Sequence, residues 1–460
     1  MSENESSSAH ASRIRRTVLP EVEEMVSIQT LPKAVCFLSH DGSPGQRFQL
    51  DADDSGIVRF HVKAERNSQP IEFTLECTAE GGTKSSYAIQ LDKDTSSTAR
   101  GSQNVLAQLQ AANGEMRAPL ADSHTSLSNS ELLARGYPPH PDPVQAPARY
   151  KRWLRMVSQP FVAVTPRMVP HPGVSFTAMR LPPELRSPTL PLPPPVGRAM
   201  FNNSNSNAWS GAYATNPIAQ YFWIQANWMV PRVFYVPGTP SYSAVSEWVG
   251  LDNSPTDLYQ AGSWSDVWHV DVFNWTVMNY WMWIESLPFA GWGVPNFPIF
   301  PGDEVSVDMF VADENGTMWF ANPDEGNGGL TPADNSVWFI LFNYTRRLLY
   351  AGTLPVAGVT INGNSSTGFT GSTAEFILER PQINGTVVPL ANFVVNDMYS
   401  CDYGDSEYGY NYALNLGPSE PIYLNMQDSS NNHLLDLTVA APDPTNPRGY
   451  RMIWFWADYL

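Results

Sequence analysis

From residue 207 to the C-terminus, apolar residues recur at every second position in short runs, and no helical period persists. Val305 to Val311, Trp338 to Tyr344, Phe376 to Leu378, Ile422 to Met426 and Met452 to Phe455 all carry this pattern. Turn-forming clusters punctuate it, as in Pro301-Gly302-Asp303, Glu314-Asn315-Gly316 and Ile361-Asn362-Gly363. Alternation of period two, broken by turns, predicts an all-β antiparallel sandwich over residues 201–460.

The 460 residues divide near position 200. Residues 201–460 hold no lysine, six arginines and 25 acidic residues, a net charge of −19, and 14 of the 15 tryptophans. Residues 1–200 carry a net charge of +1. An acidic, lysine-free domain lacks the basic contacts that nucleic acid phosphates require, which argues against nucleic acid as a partner. Such a domain suits work in acid, where few basic groups limit positive self-repulsion. No stretch approaches 18 apolar residues, so no membrane span is expected. The acidic half has only His269 and His433, outside any metal-ligand spacing, so neither a metal nor another cofactor is expected.

The first 200 residues read as three parts. Residues 1–30 are Ser- and Glu-rich and predict a disordered tail. Residues 31–95 alternate cleanly, as in Val58 to Val62, Ile71 to Leu75 and Tyr87 to Leu91, and predict a small β module in which Cys36 and Cys77 can pair, leaving Cys401 free. Residues 96–200 predict a linker. Within it, Tyr150, Trp153, Leu154 and Val157 fall at helical spacing in an amphipathic helix over 146–158, whose other face carries Arg149, Lys151, Arg152 and Arg155. A Pro-rich run over 166–195 predicts an extended strap.

Two segments concentrate the chemistry. One reads Trp248-Val249-Gly250-Leu251-Asp252 and continues to Gln260-Ala261-Gly262; the other reads Thr373-Ala374-Glu375-Phe376-Ile377. Strand alternation puts Trp248, Gly250 and Asp252 on one face, and likewise Trp281, Trp283 and Glu285. Carboxylates among tryptophans are unusual in a plain core and usual in a lined cleft. A lone glutamine in a strand is more often a hydrogen-bonded structural residue, and a tryptophan is as often core as cleft. Here the flanking pattern favours a site. Glu379, on the same strand face as Glu375, competes with it but lies at the strand's end beside Arg380 and Pro381.

These segments resemble those of the eqolisins, the glutamic endopeptidases. The resemblance spans residues 207–460 and includes Asn207-Ala208-Trp209-Ser210-Gly211, with one inserted residue, and Ala226 to Pro231. It continues through Trp248 to Asp252, through Leu258 to Gly262 with Ala261 at a threonine position, and through Trp283-Ile284-Glu285 before Pro288. It implies a sandwich of two bent sheets and a catalytic pair of Gln260 and Glu375, with Trp248, Asp252, Trp283 and Glu285 lining the substrate cleft. Glu375 would activate water and Gln260 would stabilise the oxyanion in an acid-acting endopeptidase on protein or peptide substrates. A monomeric, secreted, extracellular enzyme made as a zymogen is expected, although Met1 to Arg16 shows no apolar signal core. The basic stretch 149–198 would then attract the acidic half as an inhibitory pro-region, cut between residues 165 and 206.

Two alternatives stand beside this reading. One is a glycoside hydrolase using Glu285 and Glu375 as its carboxylates. The other is a carbohydrate- or protein-binding lectin-like sandwich without peptidase activity. No Gly-X-Ser-X-Gly elbow occurs, and Asp-Ser-Gly appears only at Asp54 to Gly56, which argues against serine and paired-aspartate chemistry.

Overall fold

In the computed structural model the described residues lie between 12 and 454, and the longest stretches outside them are 94–114, 176–201 and 317–335. Most of the expected Pro-rich strap falls in the second of these stretches. Two antiparallel sheets form the body of the acidic half. The front sheet runs, in spatial order, through strands Ile422–Asp428, Trp209–Thr215, Thr373–Glu379, Tyr242–Ser254, Asp257–Val270, Trp275–Ser286 and Trp292–Pro298. The back sheet runs through Gly409–Ala413, Val395–Asp405, Tyr221–Met229, Glu304–Ala312, Ser336–Asn343 and Leu348–Pro355.

Alternation decides which side chains meet between the sheets. Val249, Leu251, Ala261, Met282, Ile284, Ala374, Phe376 and Leu378 turn inward and join Ala226, Trp228, Val307 and Met309 in one buried core. Their odd-numbered or even-numbered neighbours turn to the outer face of the front sheet. There Trp209, Tyr213, Trp248, Leu258, Trp264, Trp283 and Ile377 form a second apolar cluster. The all-β sandwich expected from the pattern is therefore the architecture found.

The N-terminal region is more ordered than its composition suggests. Strands Ser12–Val18 and Glu23–Gln29 occupy the segment expected to be disordered. The first pairs in parallel with Lys84–Lys93, and the second pairs with Ile57–Ala64 and buries Val26 and Ile28. Pairing with non-local partners offsets the chain entropy that the Ser-rich composition cannot offset alone. Cys36 and Cys77 face each other across paired strands and are bonded, with sulfurs 2.05 Å apart. Cys401 is buried in strand Val395–Asp405.

The module does not stand apart. Strand Ile57–Ala64 alternates half-buried and buried residues and extends the front sheet by pairing with Trp275 to Met278. Trp268, Val270, Trp275 and Val277 complete the module's own core.

Helix Pro147–Val157 lies within the span expected from its periodicity. Proline at its first turn suits a position whose N–H has no intrahelical partner. Trp153 is buried and donates from Nε1 to the Pro138 carbonyl at 3.0 Å. The basic face docks as well. Arg149 pairs with Asp308 at 3.2 Å with both side chains buried, Arg152 pairs with the fully buried Asp402, and Arg155 pairs with Glu304 at 2.8 Å. All three acids belong to back-sheet strands, so the helix seals the side of the sandwich opposite the outer tryptophan face.

Candidate active site

Register brings three of the six expected site residues into one line. Glu375 faces Gly250, Gly250 faces Gln260, and Gln260 faces Glu285 across four neighbouring strands. Tyr213 continues the line beyond Glu375. At about 4.8 Å per strand, the backbones of Glu375 and Gln260 stand roughly 10 Å apart. The residue between them is glycine. A Cβ at Gly250 would come within 2.8 Å of Trp248 Cζ3, 3.1 Å of Leu258 Cδ1 and 3.3 Å of Glu375 Oε2. Glycine there lets the Trp248 ring, Leu258 and the Glu375 carboxyl close over the strand between the two polar side chains.

Gln260 is fully buried and its Nε2 donates to Glu285 Oε2 at 2.5 Å. This bond fixes the amide plane and leaves a second N–H on the same nitrogen. Glu375 is equally buried, and its Oε1 accepts from Thr373 Oγ1 at 3.1 Å. Neither Gln260 Oε1 nor Glu375 Oε2 accepts a hydrogen bond from the protein, although both atoms are buried. Unmatched buried acceptors cost free energy unless a water or a substrate group meets them.

The electrostatics of Glu375 follow from burial. Loss of solvation pushes its carboxyl well above the ordinary range, the Thr373 bond opposes the shift, and the charges of Asp252 and Glu379 add to it. Burial also raises the Tyr213 phenol, and the nearby Glu375 charge raises it further. Glu379 holds a different post, since its Oε2 accepts from Trp248 Nε1 at 2.8 Å.

Trp248 and Trp283 occupy the next line of the same face, joined through Gly262. A Cβ at Gly262 would sit 2.0 Å from the Glu247 carbonyl and 2.6 Å from Trp248 Cβ, so glycine lets the indole lie close over the strand. Trp283 Nε1 donates to Ser246 Oγ at 3.0 Å, which fixes that ring.

Asp252 sits where the pairing with the Gln260 strand shifts register, with φ at 71°. Both its oxygens face the chain that leads into the Glu375 strand. Oδ2 accepts from Thr370 N at 2.6 Å, and Oδ1 accepts from Thr370 Oγ1 at 2.6 Å and Ser372 N at 2.7 Å. Burial raises its carboxyl and these bonds oppose the shift. Asp252 thus ties down the residues just before Thr373 and Glu375.

Sequence reasoning did not single out Thr373 as a partner of Glu375, nor Tyr213 as its neighbour. Thr373 was visible two residues from Glu375 on the same face. Tyr213 lies 162 positions from Glu375 in the sequence and left no local signal. No group of three or more metal-binding side chains occurs among the described residues.

Comparison with known proteins gives one family match. Residues 207–329 match the model of the Peptidase A4 family. Two solved structures are similar in part. Scytalido-glutamic peptidase with a peptide-based transition-state analogue is 19% identical, with 55% of this chain and 100% of that chain covered, at a TM-score of 0.38. SCP-B, a member of the eqolisin family in complex with the tripeptide Ala-Ile-His, is 17% identical at the same coverage, with a TM-score of 0.35. Curated proteins gave no match. The family match bears out the resemblance read in the sequence: over residues 207–329 this chain is similar to the Peptidase A4 family, the eqolisin type, and the match supports a peptide hydrolase.

Proposed function

We propose that the protein is an acid-acting glutamic endopeptidase in which Glu375 and Gln260 form the catalytic pair. The observation that carries this reading is the line Glu375–Gly250–Gln260–Glu285, with a glycine between two buried side chains that each keep an unmatched acceptor. A water donating to both Glu375 Oε2 and Gln260 Oε1 would satisfy them together. Glu375 takes the proton as this water attacks the scissile carbonyl. The second N–H of Gln260 Nε2 donates to the oxyanion that forms, while Glu285 holds the amide in place. Glu375 then passes the proton to the leaving amine, the C–N bond breaks, and the carboxylate is regenerated. Trp248 and Trp283 line the cleft beside the line, and Asp252 steadies the approach to Glu375.

The carboxyl cluster supports acid action. Asp252 and Glu379 both disfavour the Glu375 anion. Protonation of these neighbours in acid relieves that repulsion and lets Glu375 exchange its proton with water and amine. Extracellular work as a monomer on protein or peptide substrates fits this pH range and the acidic surface. We also propose that the chain is made as a zymogen. The helix ion pairs Arg149–Asp308, Arg152–Asp402 and Arg155–Glu304 support charge attraction between the two halves. A cut in the connection between residues 165 and 206 would convert the chain to its active form.

A glycosidase reading fits less well. The Glu285 carboxylate, which such chemistry needs as an acid, base or nucleophile, is committed to Gln260. A casein or peptide digest over pH 2–8, with polysaccharide as the parallel substrate, tests the assignment. Peptide cleavage peaking below neutrality supports it, and cleavage of polysaccharide alone overturns it.

A further inference from the structure

Past Glu379, the strand that carries Glu375 leads into a hairpin. Gln382–Ile383 pairs with Thr386–Val387, and Asn384 and Gly385 close the turn at φ 51° and 76°. Two successive positive φ values suit a tight turn that asparagine and glycine tolerate. Arg380 fastens the base, donating from Nε to the Val388 carbonyl at 3.0 Å, and Val388 N donates to the Pro381 carbonyl at 3.0 Å. Val388 belongs to the outer tryptophan cluster and Ile383 packs against it. The hairpin therefore lies over the outer face of the front sheet, the face that carries Glu375 and Gln260.

The other edge of Gln382–Ile383 is taken by the N-terminal part of the chain. Val174 and Ser175 pair with it in antiparallel sense, Val174 opposite Ile383 and Ser175 opposite Gln382. Just upstream, Val169 and Pro170 pair with Gly293 and Trp292 on the edge strand of the front sheet. His171 stacks on Trp281 at 4.2 Å and 14°, and Trp281 stacks on Trp264 of the outer cluster at 5.2 Å. A Cβ at Gly293 would lie 2.7 Å from His171 Nε2, so glycine there admits the ring. The segment thus holds to the outer face at two places, the sheet edge and the hairpin.

On the same face Trp248, Trp283, Gln260 and Glu375 have no exposed surface. Substrate reaches them only when a covering element moves. A two-residue pairing is held by few hydrogen bonds, each of small net worth.

We propose that the edge of Gln382–Ile383 is a strand-addition site for the backbone of the peptide substrate, and that Val174–Ser175 occupies this site in the intact chain. The proposal rests on the Glu375–Gln260 reading of the line. A strand edge offers N–H and C=O groups that pair with an extended chain whatever its side chains. The present occupant shows that an extended antiparallel strand fits. His171 marks the distance, because Trp281 lies in the row Glu379–Ser246–Trp264–Trp281. That row is four positions along the strands from the Glu375 line, roughly 13 Å at about 3.3 Å per residue. An extended peptide covers this span with about four residues, so the hairpin meets substrate about four residues from the scissile bond. A cut after Ser175 leaves the occupant as a free end that substrate displaces.

Two arms test the proposal. The first changes the occupant. Val174→Pro with Ser175→Pro removes whichever N–H faces the hairpin and keeps the segment extended, while Val174→Ala with Ser175→Ala keeps both N–H groups. Initial rates in acid are taken before any cut of the chain appears on a gel. The double-proline chain should exceed wild type by about three- to tenfold, the worth of one backbone hydrogen bond, and the double-alanine chain should match wild type. Equal rates in all three, or an equal rise in both variants, would overturn the proposal.

The second arm leaves the protein unaltered. Peptides are lengthened one residue at a time on each side of the scissile bond, and each backbone N–H is methylated in turn. On one side kcat/KM should rise at about the fourth residue, and methylation there should cancel the rise whatever the side chain. No gain with length, or a gain that methylation leaves intact, would overturn the proposal. Hydrogen exchange in a Glu375→Gln, double-proline chain separates the strand site from the catalytic reading. The long peptide should slow exchange at Gln382 to Val387, and its methylated form should not. If wild type cuts no peptide yet this protection is seen, the catalytic assignment fails and the strand site stands. If peptides are cut and the hairpin amides do not respond, the strand site fails and the catalytic assignment stands.

Discussion

Glu247→Gln should flatten the dependence of stability on pH. Glu247 lies on the inner face of the front sheet, fully buried, with Oε2 accepting from Ser263 Oγ at 2.7 Å and Oε1 from Asn396 Nδ2 at 3.0 Å. Ser263 Oγ accepts in turn from Trp228 Nε1 at 2.8 Å. Burial pushes the Glu247 carboxyl up to about 7, and the two side-chain hydrogen bonds only partly oppose it. In the unfolded chain the same group titrates near 4.5. Between these values the folded protein holds a proton that the unfolded chain has released. Stability therefore falls as pH rises from 4.5 through about 7 and is level on either side. The interval of about 2.5 units, at roughly 1.4 kcal/mol per unit, amounts to about 3 kcal/mol. A glutamine of the same shape carries no such proton. Urea unfolding at pH 4.5 and 7.5 should show a difference in unfolding free energy smaller by about 3 kcal/mol in Glu247→Gln than in wild type. An identical pH dependence in both proteins would refute the buried-carboxylate argument.

Other perturbations separate further parts of the account. Gly250→Val should remove peptidase activity and lower the melting temperature, because the new side chain collides with the buried Trp248 ring and displaces the Glu375 carboxyl; retained activity in a digest would show that this close packing is not needed. Arg149→Leu should cost about 3–5 kcal/mol in urea unfolding, since it strands Asp308 in a buried site, and a loss below 1 kcal/mol would show that the helix contributes little. Reduction of Cys36–Cys77, which closes a loop with sequence separation 41, should lower stability by about 4 kcal/mol, with the N-terminal module's amides losing hydrogen-exchange protection first. Uniform loss of protection across the sandwich would contradict that order.

The sequence disclosed most where chemistry and periodicity are local. Alternation placed Trp248 with Gly250, and Trp283 with Glu285, because a strand's side chains choose faces by parity. It could not say that Gly250 stands between Glu375 and Gln260, since register is set by strands more than a hundred residues apart. The helix was legible because its apolar residues recur within eleven positions. Its arginines read as a diffuse basic field; they are individual ion pairs to Asp308, Asp402 and Glu304, whose convergence depends on the back sheet. The junction of module and sandwich left no trace in composition. Trp268 and Trp275 look like other tryptophans of the acidic half, and only pairing of Ile57–Ala64 with Trp275 to Met278 shows that they belong to the module's core. Asp252 read as a cleft residue by parity, whereas its carboxylate is turned toward Thr370 and Ser372 by a local shift in register.

The central claim is that Glu375 moves the proton and Gln260 holds the oxyanion. Its most direct measurement is a time-resolved peptide digest over pH 2–8 by wild type, Glu375→Gln and Gln260→Ala, each checked for fold by circular dichroism. The account predicts an acid optimum for wild type, no measurable turnover for Glu375→Gln, and a loss of at least about 10²–10³ for Gln260→Ala, with all three proteins folded alike. Turnover within tenfold of wild type in either folded variant would contradict it.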